Sequence, residues 1–352
     1  QISLLYKKQN MSLKNSNASN KTHKFLLGKL KDKKIFNNFK KFEKELSLNE
    51  NFIVAVSGGP DSLALSFLSK VYAIKKSLKV NFIIVDHKLR KNSLNEVRYV
   101  KSLFKKISTN IEVLNWIGKK PKSNIQSIAR KKRYELLIKK AKKLGRNNIL
   151  LGHHKDDLIE NFFIRMIRGS GLNGMVSFDK KINYQKIDLI RPLLKFSKTD
   201  LKYIAKKIFT NYVEDPSNKN FQFKRVNIRN LIKNLEMEGL DKNKFNLTIK
   251  NLKFANESIK FFVEKNLKDN SKIINYNNSM ILNNYFFYQP EEVVFRSLAE
   301  VLKIVGKKYY PVRGKKIDKL IGLMKNNKTF KATLGNCILK RVNNSIIVSK
   351  EH

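Results

Sequence analysis

The chain has 352 residues, 41% of them hydrophobic, and 74 lysines and arginines stand against 28 acidic residues, a formal net charge of +46. That supports one α/β domain plus a smaller one, while no apolar run approaches the ~18 residues of a membrane span and no charged-then-apolar signal peptide is apparent. The single cysteine, Cys337, excludes a disulfide framework and a Cys-x-x-Cys metal site, so a cytoplasmic protein without a membrane partner is expected.

The charge excess points to a polyanionic partner, because phosphate contacts release counterions and a basic surface steers nucleic acid inward. Lys, Asn and Ile are abundant throughout. Compositional drift in an AT-rich genome is therefore the competing account.

Residues 1–24 are polar and aperiodic and read as a disordered tail. Leu26–Leu46 has the apolar spacing of a helix. Strands are expected over Asn51–Ser57, Val80–Asp86, Ile111–Trp116 and Asn148–Gly152. Helices are expected between and after them, over Asp61–Ser77, Ser93–Ile107, Asn124–Lys143 and Lys155–Arg168. This alternation predicts an α/β fold with a doubly wound, mostly parallel sheet, in which ligands bind at the carboxyl ends of the strands. Ile182–Ile190 reads as a further strand, and Ser197-Lys198-Thr199-Asp200 as a capping box opening a helix. The turn-rich Glu214-Asp215-Pro216-Ser217-Asn218 marks a boundary between a first domain, residues 25–215, and a smaller, mainly helical C-terminal domain, residues 216–352. Long basic helices are expected over 225–268 and short strands over 330–349.

The stretch with most chemical content is Ser57-Gly58-Gly59-Pro60-Asp61-Ser62, between the apolar strand Phe52–Val56 and the apolar helix start Leu63–Leu68. Paired glycines let backbone N–H groups approach an anion without Cβ clashes, and a helix N-terminus adds its positive dipole end. Ser57 and Ser62 can donate further bonds, and Asp61 can hold a cation on the same phosphates. The bland alternative is an ordinary strand-to-helix turn capped by Asp61 or Ser62. A Walker A spacing is absent.

In Gly152-His153-His154-Lys155-Asp156-Asp157-Leu158-Ile159-Glu160, helical geometry puts Asp156, Asp157 and Glu160 on one face. Three carboxylates beside a phosphate site can bind Mg2+ or receive a cationic substrate, or simply stabilise their own helix dipole. The adjacent histidines lack the third soft ligand that zinc would need. Gly169-Ser170-Gly171-Leu172-Asn173-Gly174 matches a dinucleotide pattern but follows a helix instead of a strand, so it reads as a flexible loop.

The hexapeptide at 57–62 resembles the pyrophosphate loop (PP-loop) of the N-type ATP pyrophosphatases. In this order, Val85-Asp86-His87-Lys88-Leu89-Arg90, Ala129-Arg130-Lys131-Lys132-Arg133-Tyr134, the 152–160 segment, Gly169–Met175, Arg191-Pro192-Leu193-Leu194 and Glu214–Asn218 resemble the tRNA(Ile)-lysidine synthase family. Thr333-Leu334-Gly335-Asn336-Cys337 is a weaker match to its tRNA-binding middle domain. Asn161 departs from the threonine common in the family, and the extra C-terminal domain of longer members is not expected here.

The resemblance implies an enzyme, an ATP-dependent carbon–nitrogen ligase. It would adenylate the C2 oxygen of the wobble cytidine in the CAU anticodon of isoleucine tRNA and then let free L-lysine displace AMP. Ser57, Gly58, Gly59, Pro60, Asp61 and Ser62 would hold ATP, with Mg2+ on Asp61, and Asp86 and His87 would lie by the nucleotide. Arg130 and Arg133, one helical turn apart, would act in catalysis on phosphates or the tRNA backbone, though a solvated basic face would look the same. Asp156, Asp157 and Glu160 would receive lysine. The partners implied are isoleucine tRNA and lysine, with a homodimer left open. Another tRNA-directed PP-loop enzyme, such as a thiolase, is the alternative, and one cysteine supplies neither its cysteine pair nor its iron–sulfur cluster.

Overall fold

The computed structural model describes residues 17–89, 92–118, 121, 123–213, 224–274, 278–307, 312–326 and 329–351. They form two compact units that divide between Lys242 and Asn243. The boundary segment Glu214–Asn218 and Arg90 of the Asp86 motif lie outside the described residues.

The first unit opens with α1, Asn17–Gly28, and a 3-10 turn, Lys29–Lys31, followed by α2, Lys33–Glu45. A helix therefore begins inside the stretch expected to be a tail. The single helix expected over 26–46 breaks at Asp32, which is extended and whose Oδ1 accepts from the N–H groups of Lys34 (2.9 Å) and Ile35 (3.1 Å). An aspartate that caps the following turn satisfies donors that a continuous helix would have paired otherwise.

The alternating stretch then follows: β1 Phe52–Val56, α3 Pro60–Lys76, β2 Val80–Asp86, α4 Ser93–Lys105, β3 Ile111–Asn115, α5 Ile125–Lys143, β4 Asn148–Leu150 and α6 Lys155–Met166. A single turn, α7 Leu172–Met175, leads to β5 Lys181–Tyr184 and β6 Ile187–Ile190. The strand expected over 182–190 is thus a hairpin. Gln185 and Lys186 turn it at φ of 54° and 67° with no glycine present, so the usual turn signal is missing from the sequence. After α8, Lys198–Phe209, comes α9, Lys224–Met237.

The six strands form one sheet in the order β3-β2-β1-β4-β6-β5, parallel except for the edge strand β5. The chain winds outward from β1 through β2 to β3 and then returns to the other side of β1 at β4. The crevice outside the carboxyl ends of β1 and β4 is the switch point where such sheets bind ligands. One face of the sheet is covered by α2, α3, α4 and α8 through Phe39, Phe67, Phe104 and Phe209. The other packs α5 through Leu137, Ile138 and Ala141.

The second unit contains α10 (Lys242–Asn270, beginning at the dividing residue), α11 (Glu291–Val305) and α12 (Gly314–Asn326). It also holds a five-stranded antiparallel sheet, β7-β8-β11-β10-β9, spanning Ser271–Ile274, Ser279–Leu282, Ser345–Lys350, Cys337–Val342 and Lys331–Leu334 in that order. Short strands were expected only over 330–349. The β9–β10 hairpin turns on Gly335 and Asn336, both at positive φ, as a tight primed turn requires. No helix among the described residues is long and apolar enough to cross a membrane.

Candidate active site

The turn after β1 is closed by its own serines. The Ser57 N–H donates to Ser62 Oγ at 3.1 Å, and the Ser62 hydroxyl donates to the Gly59 carbonyl at 3.0 Å. Gly59 caps α3 in an extended conformation and Pro60 occupies its first turn, where a missing N–H costs nothing. Gly58 sits at φ +84°, and a Cβ there would lie 2.6 Å from Val100 Cγ2. Only glycine fits that backbone. A Cβ on Gly152, at the end of β4, would lie 3.2 Å from the Ser62 N atom. The β4–α6 turn can therefore press directly against the PP-loop, which brings two distant motifs into one wall.

His154 caps α6. Its Nδ1 accepts from the Asp156 N–H at 3.2 Å, and its own N–H donates to Asp157 Oδ2 at 2.9 Å. With Nδ1 accepting, the ring proton belongs on Nε2, which lies 3.7 Å from both Asp61 Oδ2 and Asp157 Oδ2. Asp61 Oδ2 also takes a 2.5 Å bond from Lys198 Nζ, while its Oδ1 is buried with no hydrogen-bond partner.

The three acids of α6 have different surroundings. Burial would raise the Asp157 carboxyl, but His154, His153 and the His154 N–H together hold it below the usual range. Glu160 is pushed up by burial in spite of its partner Arg229, whose Nε and Nη2 lie 2.6 Å and 3.4 Å from the carboxylate oxygens. Asp156 is the most open of the three, and Lys242 Nζ approaches it at 4.0 Å.

Ser57, Gly59, Pro60, Asp61, Asp156, Asp157 and Glu160 line a single cavity of about 840 Å³. Gly58 and Ser62 form the loop behind it. Five cations, Lys198, Lys202, Arg229, Lys233 and Lys242, also line it, together with Glu96, Glu236 and apolar side chains. These cations had no sequence signal, because basic residues are everywhere in this chain. Lys198 was visible only as part of a helix cap.

Asp86, His87, Arg130 and Arg133 do not line that cavity. Asp86, at the end of β2, is 3% exposed; its Oδ1 accepts from Lys88 N at 2.9 Å, and its Oδ2 is buried without a partner. The His87 ring stands edge-on to Trp116, centroids 6.0 Å apart. Arg130 and Arg133 flank the Tyr134 ring at 5.3 and 5.5 Å, on the α5 face of the sheet.

A model of the PP-loop domain matches residues 31–236. The chain is 32% identical over 307 residues to the tRNA(Ile)-lysidine synthase of Wolbachia sp. subsp. Brugia malayi (strain TRS), covering 86% of this chain and 71% of that one. It is also 32% identical over 312 residues to the tRNA(Ile)-lysidine synthase of Orientia tsutsugamushi (strain Boryong), covering 86% and 70%. The chain belongs to the tRNA(Ile)-lysidine synthase family. A U34-tRNA thiolase, NcsA from Methanococcus maripaludis, solved with its 4Fe–4S cluster, superposes with a TM-score of 0.55 at 16% identity over 64% of this chain and 79% of that one. That likeness speaks for the fold alone. Membership of the tRNA(Ile)-lysidine synthase family makes the chain an ATP-using PP-loop enzyme, which agrees with a serine–glycine loop at the sheet's switch point.

Proposed function

We propose that the chain joins free L-lysine to C2 of the wobble cytidine in the CAU anticodon of isoleucine tRNA, changing codon specificity from AUG to AUA. The observation that carries this is the single cavity in which the PP-loop faces three carboxylates. In the first half-reaction the cytidine C2 oxygen attacks the α-phosphorus of ATP and pyrophosphate leaves. In the second, the lysine ε-amine attacks C2 and the C2–O bond to AMP breaks. The ammonium must shed a proton before attack, and Glu160, its carboxyl raised by burial, is the better acceptor among the acids. Before that transfer Glu160 holds and orients the cation together with Asp156 and Asp157.

Mg2+ fits this site in one way. Asp61 presents a buried, unpartnered Oδ1, and among the described residues no group of three or more His, Cys, Asp or Glu could hold a metal. An ion shared between one carboxylate and substrate phosphates is the usual Mg2+ arrangement, and when bound it would neutralise phosphate charge. The ATP chemistry belongs to the first unit, and the basic second unit supplies tRNA contacts; the setting is cytoplasmic. Mass spectrometry of isoleucine tRNA after incubation with ATP and lysine tests the reading directly, with lysidine as the expected product.

Binding of tRNA is expected to weaken steeply with salt, the logarithm of the dissociation constant rising by roughly 0.7–0.9 per phosphate contact for each decade of salt. A flat plot would make the basic composition mere drift. Cys337→Ser is expected to keep full turnover, since Cys337 is wholly buried beneath Leu302 of the second unit and the nucleophile is free lysine. Loss of activity in the folded variant, with a sulfur-containing nucleoside in wild-type product, would favour the thiolase alternative.

A further inference from the structure

The ammonium of Lys198 stands on the very carboxylate that a Mg2+ ion would need. Lys198 is the first residue of α8, capped by Ser197, and Asp61 lies in the first turn of α3. Leu201, Ile204 and Ala205 of α8 and Leu63, Ala64 and Phe67 of α3 are wholly buried in one core, which fixes the two helix starts side by side. Lys198 Nζ lies 2.5 Å from Asp61 Oδ2, and the two side chains are 35% and 22% exposed, so the pair is open to exchange with ligands in the cavity.

The helix itself disfavours a cation there. A helix N-terminus is the positive end of the dipole, and lysine is stabilised at the opposite end. Lys202, one turn further along α8, lines the same cavity and adds a like charge. Among the described residues Asp61 is the one carboxylate within ion-pair distance of Lys198. A lysine kept at the wrong end of a helix by one partly exposed contact passes readily to a stronger anion. Its ammonium is a compact charge on a flexible four-carbon stem, so it changes partner without backbone movement.

This ion pair conflicts with a metal on Asp61. The single charge of the carboxylate is matched by the ammonium, so a divalent ion at the unpartnered Oδ1 meets a neutral pair with a like charge close by. A triphosphate changes the balance. It brings several negative charges, takes the ammonium onto a phosphate oxygen, and releases the carboxylate to the ion. We propose that Lys198 is a positioning residue that reserves Asp61 for a metal arriving with a nucleotide and turns away a bare divalent ion. The inference rests on the assignment of Asp61 as the metal's carboxylate. Metal and nucleotide then raise each other's affinity by the same factor, and Lys198 supplies part of that factor.

The test follows Mn2+ by electron spin resonance, with and without an ATP analogue whose α–β bridge is a methylene and therefore cannot release pyrophosphate. Wild type is expected to bind Mn2+ weakly alone and far more tightly with the analogue. Lys198→Met is expected to bind Mn2+ alone about tenfold more tightly than wild type, because a unit charge ~4 Å from the ion is removed. The gain on adding the analogue should shrink by at least the same factor. Lys198→Arg, which keeps the charge, should stay near wild type. A lysine with a merely structural role would weaken metal binding when lost and would not strengthen it. Lys198→Gln replaces the methionine variant should that one fail to fold.

Asp61→Asn separates this inference from the metal assignment beneath it. Suppose Asp61→Asn loses Mn2+ binding, as expected. Unchanged or weaker binding of Mn2+ alone in Lys198→Met, or an undiminished gain with the analogue, would then overturn the role of Lys198 and leave Asp61 as the metal's carboxylate. Mn2+ binding that survives Asp61→Asn would overturn both. Lysidine formation, judged on the product itself, depends on neither result.

Discussion

Asp61→Asn is expected to abolish tRNA-dependent ATP consumption while leaving the fold intact. The substitution keeps the side chain's size and removes only its charge. Asp61 opens α3 with its side chain 22% exposed, held between Lys198 and His154, and its free Oδ1 is buried beside the phosphate loop. Removing a single preorganised electrostatic group from an active site costs about 10²–10³ in kcat, and a carboxylate shared with a metal lies at the upper end. Pyrophosphate release measured with and without tRNA checks this. A Lys198→Met control is needed, because Asp61 would also matter if its only task were to hold that lysine. If the lysine variant matched Asp61→Asn in every respect, a cation-holding role would lose its support. Wild-type turnover in Asp61→Asn would sink it outright.

Glu160→Gln is expected to raise the lysine KM about ten- to hundredfold while the ATP KM moves little. A charge-assisted hydrogen bond is worth ~1.5–3 kcal/mol. Glu160 is 3% exposed, so water replaces its contribution poorly. Adenylated tRNA should accumulate, since attack by lysine slows more than activation does. The tight Arg229 contact complicates the reading, because the variant also leaves a half-buried guanidinium without its carboxylate. A double-mutant cycle with Arg229→Met separates the two effects. If Glu160 acts only by fixing Arg229, the double variant will be no worse than either single one. An unchanged lysine KM with a weakened ATP step would reassign these acids to the metal, and the family would still stand.

Periodicity alone placed every element of the alternating stretch. Val80–Asp86 matches its expected span residue for residue, and the others shift only at their ends. Such strands are continuous apolar runs because both faces of the parallel sheet are covered, so local composition carries the information. It failed where a single residue overrides local propensity, at Asp32, or where a turn uses no glycine, at Gln185-Lys186.

The phosphate loop and the acidic face of α6 were legible because each is a short run whose spacing is itself the mechanism: glycines for backbone approach, acids one turn apart. Their meeting was not. It depends on β1 and β4 being neighbours across the switch point and on Gly152 clearing Ser62, which are properties of chain winding and contact distance. The partners of the acids were equally hidden. Lys198 and Arg229 lie 137 and 69 residues from Asp61 and Glu160, in a chain where one more lysine or arginine is unremarkable by composition. Residue type and spacing decided which chemistry this protein can do; only tertiary packing decided which cation faces which carboxylate, because an ion pair is selected by distance and burial, and neither is written in local sequence.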